Sequence, residues 1–374
     1  MTRHVAVSQP VLDEHDAGCI NDALAKGAIS GFFGDYLPQF EREFAEYCGC
    51  EFGVSTTSGT TAIHLALAML GIGEGDEVLV STLTNMATFF PVIYQGAKPV
   101  PIDIEPDTLN LDPGLLEAKI TPRTKAIIVV HLFGHPVDMD PVMAVARKHG
   151  LFVIEDAAEA HGATYKGRKV GGIGDVGCFS FYANKIITTG EGGMITTNNR
   201  SWADKARNLK GLAFGEQMKF MHQAIGYNYR MTNLQAALGH AQFSRIEKFI
   251  AARRQVASFY SQRFANLDTL SLPVEKSYAR NVYWMYHVVL QGNAADRRGE
   301  VMDKLQRQGV ETREGFIPFN MQKIFIERGW TRPDECPRAN EVAMRGFYIP
   351  SGAGLADDEL EYVAGSLISV LASF

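Results

Sequence analysis

The sequence predicts an α/β chain: a doubly wound, mostly parallel sheet flanked by helices, followed by a smaller α+β part. Three observations carry this. Ala126-Ile-Ile-Val-Val-His-Leu132 is an apolar run of the kind found in parallel strands covered on both faces. From Glu77 onward, strand-like runs alternate with helical patterns across short connections. Beyond about Lys248 that alternation gives way to an aromatic strand and more scattered helices. The expected division is therefore 1–248 and 249–374, without internal repeats or low-complexity tracts.

In order, residues 11–26 and 37–48 carry helical spacing, with Phe40, Phe44 and Tyr47 recurring at threes and fours. Between them Gly27-Ala-Ile-Ser-Gly31-Phe-Phe-Gly34-Asp-Tyr36 reads either as a loop packed on its own rings or as a mobile aromatic loop near a pocket. Ser58-Gly59-Thr60-Thr61 precedes a helix over 62–70. Small hydroxyl residues there make an ordinary N-cap, and the same free N–H groups and positive dipole end suit a phosphate. Strands are expected at 77–81, 98–103 and 151–156, with helices at 87–95 and 140–149. Gly172-Ile-Gly174-Asp-Val-Gly177 has GxGxxG spacing, but a dinucleotide fingerprint must follow a strand and open a helix. This one leads straight into a strand at 178–181 and reads as a glycine turn. A strand follows Gly190-Glu-Gly-Gly193. Helices at 201–210 and 234–264, a strand at 281–290, a helix at 298–308, a strand at 310–316 and a helix at 358–371 complete the chain.

The 374 residues carry a formal net charge of −6 and no basic run, which argues against a nucleic-acid partner. Five scattered cysteines make no disulfide framework. Cys48-Gly-Cys50 has no second pair or His cluster beside it, so no metal site is expected. No apolar signal core and no run of about 18 apolar residues occurs. The reading is a cytoplasmic protein with no membrane span.

Lys185 lies between an aromatic-rich strand and the Gly190-Glu-Gly-Gly193 turn. It is either a strand-end lysine reaching for water or a desolvated, nucleophilic amine of the kind that carries pyridoxal 5'-phosphate (PLP). A PLP enzyme also needs an acid for the pyridinium nitrogen and a phosphate cradle. Asp156, ending a buried strand, is the candidate acid. The helix start at Gly59, Thr60 and Thr61, with the Ser180 hydroxyl, is the candidate cradle. Finding all three in the expected order favours the nucleophile.

Glu155-Asp156-Ala-Ala-Glu159-Ala-His-Gly162, Ser180-Phe-Tyr-Ala-Asn-Lys185, Gly190-Glu-Gly-Gly193 and Tyr227-Asn228-Tyr-Arg230-Met231 together resemble the DegT/DnrJ/EryC1/StrS family of PLP-dependent sugar aminotransferases. The resemblance spans nearly the whole chain. Asn184-Lys185-Ile-Ile-Thr-Thr-Gly-Glu-Gly-Gly-Met, His131-Leu-Phe-Gly-His-Pro-Val-Asp-Met-Asp140 and Tyr283-Trp-Met-Tyr286 are most similar to members that aminate C4 of a GDP-linked 4-keto-6-deoxy sugar. The resemblance implies an aspartate-aminotransferase-like (type I) PLP fold. It also implies that Lys185 carries the cofactor and shuttles protons, that Asp156 pairs with the pyridine nitrogen, and that Glu159 approaches the 3-hydroxyl side. Gly59, Thr60, Thr61 and Ser180 would hold the phosphate. Asn228 would reach the phosphate of a neighbouring subunit, making the active unit a homodimer with shared sites, or a tetramer of such dimers. Arg230 and Arg313 fall where anionic substrate groups could be met. L-glutamate is the implied donor, pyridoxamine 5'-phosphate the form between half-reactions, and a nucleotide-linked keto sugar the acceptor.

The chain departs from this pattern in three segments. Asn85 stands beside the cofactor where relatives place a stacking aromatic ring. Ala28-Ile-Ser-Gly31 replaces a Trp-Ile-Ser-Ser pattern, and Pro318-Phe-Asn320 replaces a Pro-x-His near the sugar nucleotide. With the cofactor lysine intact, these changes imply the same reaction type, on the same sugar or on a different one. A subclass carries histidine in place of the lysine and dehydrates the sugar at C3; Lys185 favours transamination. A PLP-dependent sugar dehydratase and a non-enzymatic PLP-fold sensor are the alternatives.

Overall fold

The computed structural model describes residues 3–215 and 218–374. Helices α1 (Glu14–Ala25) and α2 (Tyr36–Tyr47) lead into β1 (Phe52–Thr56), α3 (Gly59–Leu70), β2 (Glu77–Ser81), α4 (Met86–Tyr94), β3 (Lys98–Ile102), β4 (Thr124–Val130), α5 (Met139–His149) and β5 (Phe152–Asp156). The short strands β6 (Thr164–Tyr165) and β7 (Arg168–Lys169) precede β8 (Val176–Ser180), β9 (Gly193–Thr197), α6 (Arg200–Lys210), α7 (Asn233–Phe243) and α8 (Ile246–Phe264). The rest is β10 (Leu270–Ser271), β11 (Ala279–Arg280), β12 (Tyr286–Leu290), α9 (Arg298–Arg307), β13 (Arg313–Glu314), α10 (Lys323–Ile326), α11 (Pro337–Arg345), β14 (Gly346–Ile349) and α12 (Asp357–Leu371).

The main sheet has seven strands in the order β1-β9-β8-β5-β4-β2-β3. All pairings are parallel except the two made by β9, which runs against its neighbours. Every residue of β1, β2 and β9 is buried, as expected of a sheet covered on both faces. A second, antiparallel sheet has the order β10-β12-β14-β13.

The Phe40/Phe44 stripe of α2 explains how the lysine-bearing segment is held. Both rings are fully buried, and Phe44 meets Phe179 and Phe181 nearly edge-on at 4.8 and 5.2 Å between centroids. Such pairs contribute about 0.5–1.5 kcal/mol each beyond area burial. They fix β8 and the chain just before Lys185 against α2.

Three expectations are corrected. The helix expected over 234–264 breaks at Ser244–Arg245, because Arg245 leaves helical geometry (φ −116°, ψ 10°) and directs its guanidinium to Asp16, 2.6 Å away. The strand expected over 281–290 begins only at Tyr286, since Tyr283 adopts φ 48°. The strand expected over 310–316 is reduced to Arg313–Glu314, which pairs with β14, an element whose four residues gave no usable period.

Candidate active site

Parallel strands deliver their carboxyl ends to one edge of a sheet, and ligands bind there. At that edge a cavity of about 360 Å³ is lined by Ser58, Gly59, Thr60, Asn85, Thr88, Asp156, Glu159, Ser180, Lys185, Trp284 and Arg313, among others. Strand β5 supplies Asp156, the turn after it Glu159, β8 Ser180, the following loop Lys185, and the start of α3 Gly59 and Thr60.

Lys185 is largely buried, its side chain 11 % exposed. Its ammonium makes no hydrogen bond among the described residues; Glu159 Oε1 lies 4.0 Å away and the Trp284 ring centroid 3.9 Å. Burial lowers the Lys185 pKa, the nearby Arg253 charge acting in the same direction and Glu159 and Asp156 opposing it. The indole N–H of Trp284 donates to the Asn184 carbonyl at 2.8 Å, tying the ring to the chain beside the lysine.

Asp156 accepts from the Thr88 hydroxyl at 2.8 Å and from Ala158 N–H at 3.2 Å. Burial nevertheless pushes its carboxyl above the ordinary range. Glu159 accepts from Phe133 N–H at 2.8 Å, and burial raises it to about 7, with Lys185 pulling the other way. These two carboxyls are primed to ionise when a positive partner arrives.

Ser58 caps α3 by accepting from Thr61 N–H at 3.1 Å, and the Thr61 hydroxyl returns to Ser58 N–H and carbonyl, both at 2.9 Å. Thr61 is therefore spent inside a capping box and does not line the cavity. Gly59 and Thr60, at the first two helical positions, keep unpaired N–H groups. A Cβ on Gly59 would lie 2.8 Å from Ser180 Cβ. Only glycine lets the helix start approach β8 so closely. An open helix N-terminus, a serine hydroxyl, an unbonded lysine and a buried carboxyl bound one cavity; this donor set fits PLP.

The other expected residues lie elsewhere. Asn85 is exposed and caps α4 through Ala87 N–H; it borders the cavity but brings no ring to it. Asn228 is exposed and accepts from Arg230 at 2.8 Å, while the Arg230 guanidinium sits 4.7 Å over the Phe32 ring. Arg313 lines the cavity and is held by Glu311 at 3.0 Å. Asn320 is corrected: it is fully buried, and its amide is taken by Thr82, Pro333 and Asn340. It faces no cavity. The loop 27–36 is not packed on its own rings, since Phe32 and Phe33 are 64 and 74 % exposed. Thr88, Trp284 and Tyr348 escaped the residue-by-residue reading, although Trp284 falls in the Tyr283–Tyr286 motif.

The family model for DegT/DnrJ/EryC1/StrS aminotransferases matches residues 10–368. The chain is 43 % identical to GDP-perosamine synthase of Caulobacter vibrioides over 98 % of both chains, and 38 % identical to that of Escherichia coli O157:H7 over 98 % of both. The PLP form of Spr1654 from Streptococcus pneumoniae superposes with a TM-score of 0.94 at 26 % identity, over 99 % of each chain.

Proposed function

This chain belongs to the DegT/DnrJ/EryC1/StrS aminotransferase family and is a PLP-dependent sugar aminotransferase; we propose that it moves an amino group from L-glutamate to C4 of a nucleotide-linked 4-keto-6-deoxy sugar. The acceptor is GDP-linked, on the likeness to two GDP-perosamine synthases. The carrying observation is Lys185, buried and without a hydrogen bond, in a cavity that also holds Asp156 and the open start of α3.

PLP, when bound, supplies an electrophilic carbon for the amine and a ring that absorbs the electrons released on proton loss. The Gly59 and Thr60 N–H groups and the Ser180 hydroxyl would hold its phosphate. Asp156 would keep a proton on the ring nitrogen, and Glu159 would stand by the 3-hydroxyl side. The Lys185 amine, its pKa lowered by burial, would take the substrate proton and return it one position along. Arg313 and Arg230 meet anionic parts of the substrates. Asn228, exposed here, reaches a partner subunit's phosphate in a homodimer. The exposed Phe32, Phe33, Phe220 and Ile225 support such an interface. The division at 248/249 is proposed with it: the seven-stranded sheet precedes that point and the four-stranded sheet follows, though α8 crosses it. No helix among the described residues is long and apolar enough to cross a membrane; a cytoplasmic location is proposed together with the biosynthetic activity.

The test is the absorption spectrum of the PLP-loaded protein on adding L-glutamate, then the sugar product's mass with a GDP-linked 4-keto-6-deoxy sugar. Loss of the yellow band and replacement of oxo by amino are expected. Loss of water from the sugar would point to dehydration instead, and Lys185→Ala with undiminished turnover would sink the assignment.

A further inference from the structure

Arg253, on α8, is a guanidinium buried to 3 % exposure with no carboxylate partner among the described residues. Its Nη1 donates to the Trp284 carbonyl at 2.7 Å and the Ser351 carbonyl at 3.3 Å, and Nη2 to Ser8 Oγ at 3.3 Å. Its Nε has no acceptor among the described residues. A buried charge held only by neutral groups is costly, and a fold retains one rarely without gain. Two observations tie it to Lys185. Both side chains line the same small void, with Gln242 and Phe249. The residue whose carbonyl Arg253 grips, Trp284, lays its ring on the lysine ammonium and donates to Asn184 next door.

We propose that Arg253 is a positioning residue for Lys185: it pins Trp284 over the lysine and sets a positive charge, free of any carboxylate partner among the described residues, beside the void the two residues share. The inference rests on the assignment of Lys185 as the cofactor's lysine. The charged and titratable groups that act on Lys185 are Asp156 at the end of β5, Glu159 and His161 from the segment after it, and Arg253 from α8. Glu159 and Asp156 favour the ammonium, His161 is held neutral by burial, and Arg253 alone opposes protonation electrostatically. Without it, burial alone would oppose the pull of the two carboxyls on the lysine proton, and the amine would shift toward its charged form.

The readout is the pH midpoint at which the visible band of the PLP-loaded enzyme changes. Arg253→Met should move that midpoint to higher pH and slow PLP uptake by stripped enzyme at pH 8 by about tenfold. Arg253→Lys, which keeps the charge, should restore the wild-type midpoint. A purely structural arginine would lower the melting temperature in both variants and leave the midpoint in place, which would overturn the proposal. If Arg253→Met does not fold, Arg253→Gln is read in both assays, with the pH dependence of PLP uptake by the wild type beside it. A rate that rises only near the ordinary lysine range, about pH 10, would equally overturn it. Borohydride trapping of PLP on Lys185 in each protein separates this outcome from failure of the lysine assignment itself.

Discussion

Thr88→Val is the sharpest probe of the acid that the reaction depends on. Thr88 Oγ1 donates to Asp156 Oδ2 at 2.8 Å and also meets Thr84 Oγ1 at 3.0 Å. Valine fills nearly the same volume, so the perturbation is the loss of one hydroxyl from a fully buried pair. A hydrogen bond to a charged group is worth about 1.5–3 kcal/mol, or roughly 10- to 100-fold in rate if Asp156 must be ionised for proton loss. The sign follows from burial, which already pushes Asp156 upward, with Thr88 the first of the influences opposing it. Removing that opposition raises the carboxyl further. The acid limb of the pH–rate profile should therefore move to higher pH, with part of the lost rate recovered in alkaline buffer. The assay is stopped-flow bleaching of the PLP band by L-glutamate across pH. Thr84→Val, which removes a partner of Thr88 and no donor to Asp156, should cost less. An unchanged rate and acid limb in Thr88→Val, at equal PLP content, would refute the role given to Asp156.

Gly59→Ala places a methyl 2.8 Å from Ser180 Cβ. The resulting shift of α3 off β8 costs about 1–3 kcal/mol, read as PLP affinity weakened roughly 5- to 150-fold by equilibrium dialysis. Asn320→Ala should lower stability, because Thr82 and Asn340 lose a buried partner at about 1–3 kcal/mol each. Urea denaturation measures this, while KM for both substrates should stay unchanged. Glu155→Gln should cost about 3–5 kcal/mol in the same assay. In the wild type, burial of Glu155 is outweighed by His131 and backbone N–H groups, so its folded pKa is depressed. Its stabilisation is present above the ordinary Glu pKa of about 4.3 and lost as pH falls further, through the folded value.

The site was legible where chemistry is carried by residue type at the end of a strand. Lys185 and Asp156 could be found because a turn between buried strands and a carboxyl at a strand end are local patterns, and sheet topology brings local patterns together. Thr61 and Asn320 show the limit. Each is a polar residue in a plausible segment whose hydrogen-bonding capacity is already spent, Thr61 in a local capping box with Ser58 and Asn320 on partners that include the remote Thr82. Arg253 illustrates the converse. It sits in a helix whose spacing says nothing of Trp284, thirty-one positions away, whose carbonyl it holds. The break at Ser244–Arg245 and the pairing of β13 with β14 were hidden for the same reason: Asp16 and Tyr348, their partners, lie far off in sequence.

The glycine-rich turn at 171–174 does cradle an anion, but one that belongs to the chain. Gly171, Ile173 and Gly174 direct their N–H groups at the Glu155 carboxylate over 2.7–2.8 Å, and His131 Nε2 meets it at 3.0 Å. Neighbouring residues on a strand face opposite sides of the sheet, so Glu155 and Asp156 leave β5 in opposite directions and meet opposite fates. Glu155 is held charged by four donors and organises the turn from which β8 starts. Asp156 has two donors and is driven towards its neutral form until a cation faces it. It follows that Asp156→Asn should spare the fold and cost the PLP chemistry, whereas Glu155→Gln should loosen the fold and reach PLP only through the displaced β8. Equal effects of the two substitutions on urea midpoint and on PLP affinity would mean that the two faces of this strand end are not separated as the hydrogen bonds require.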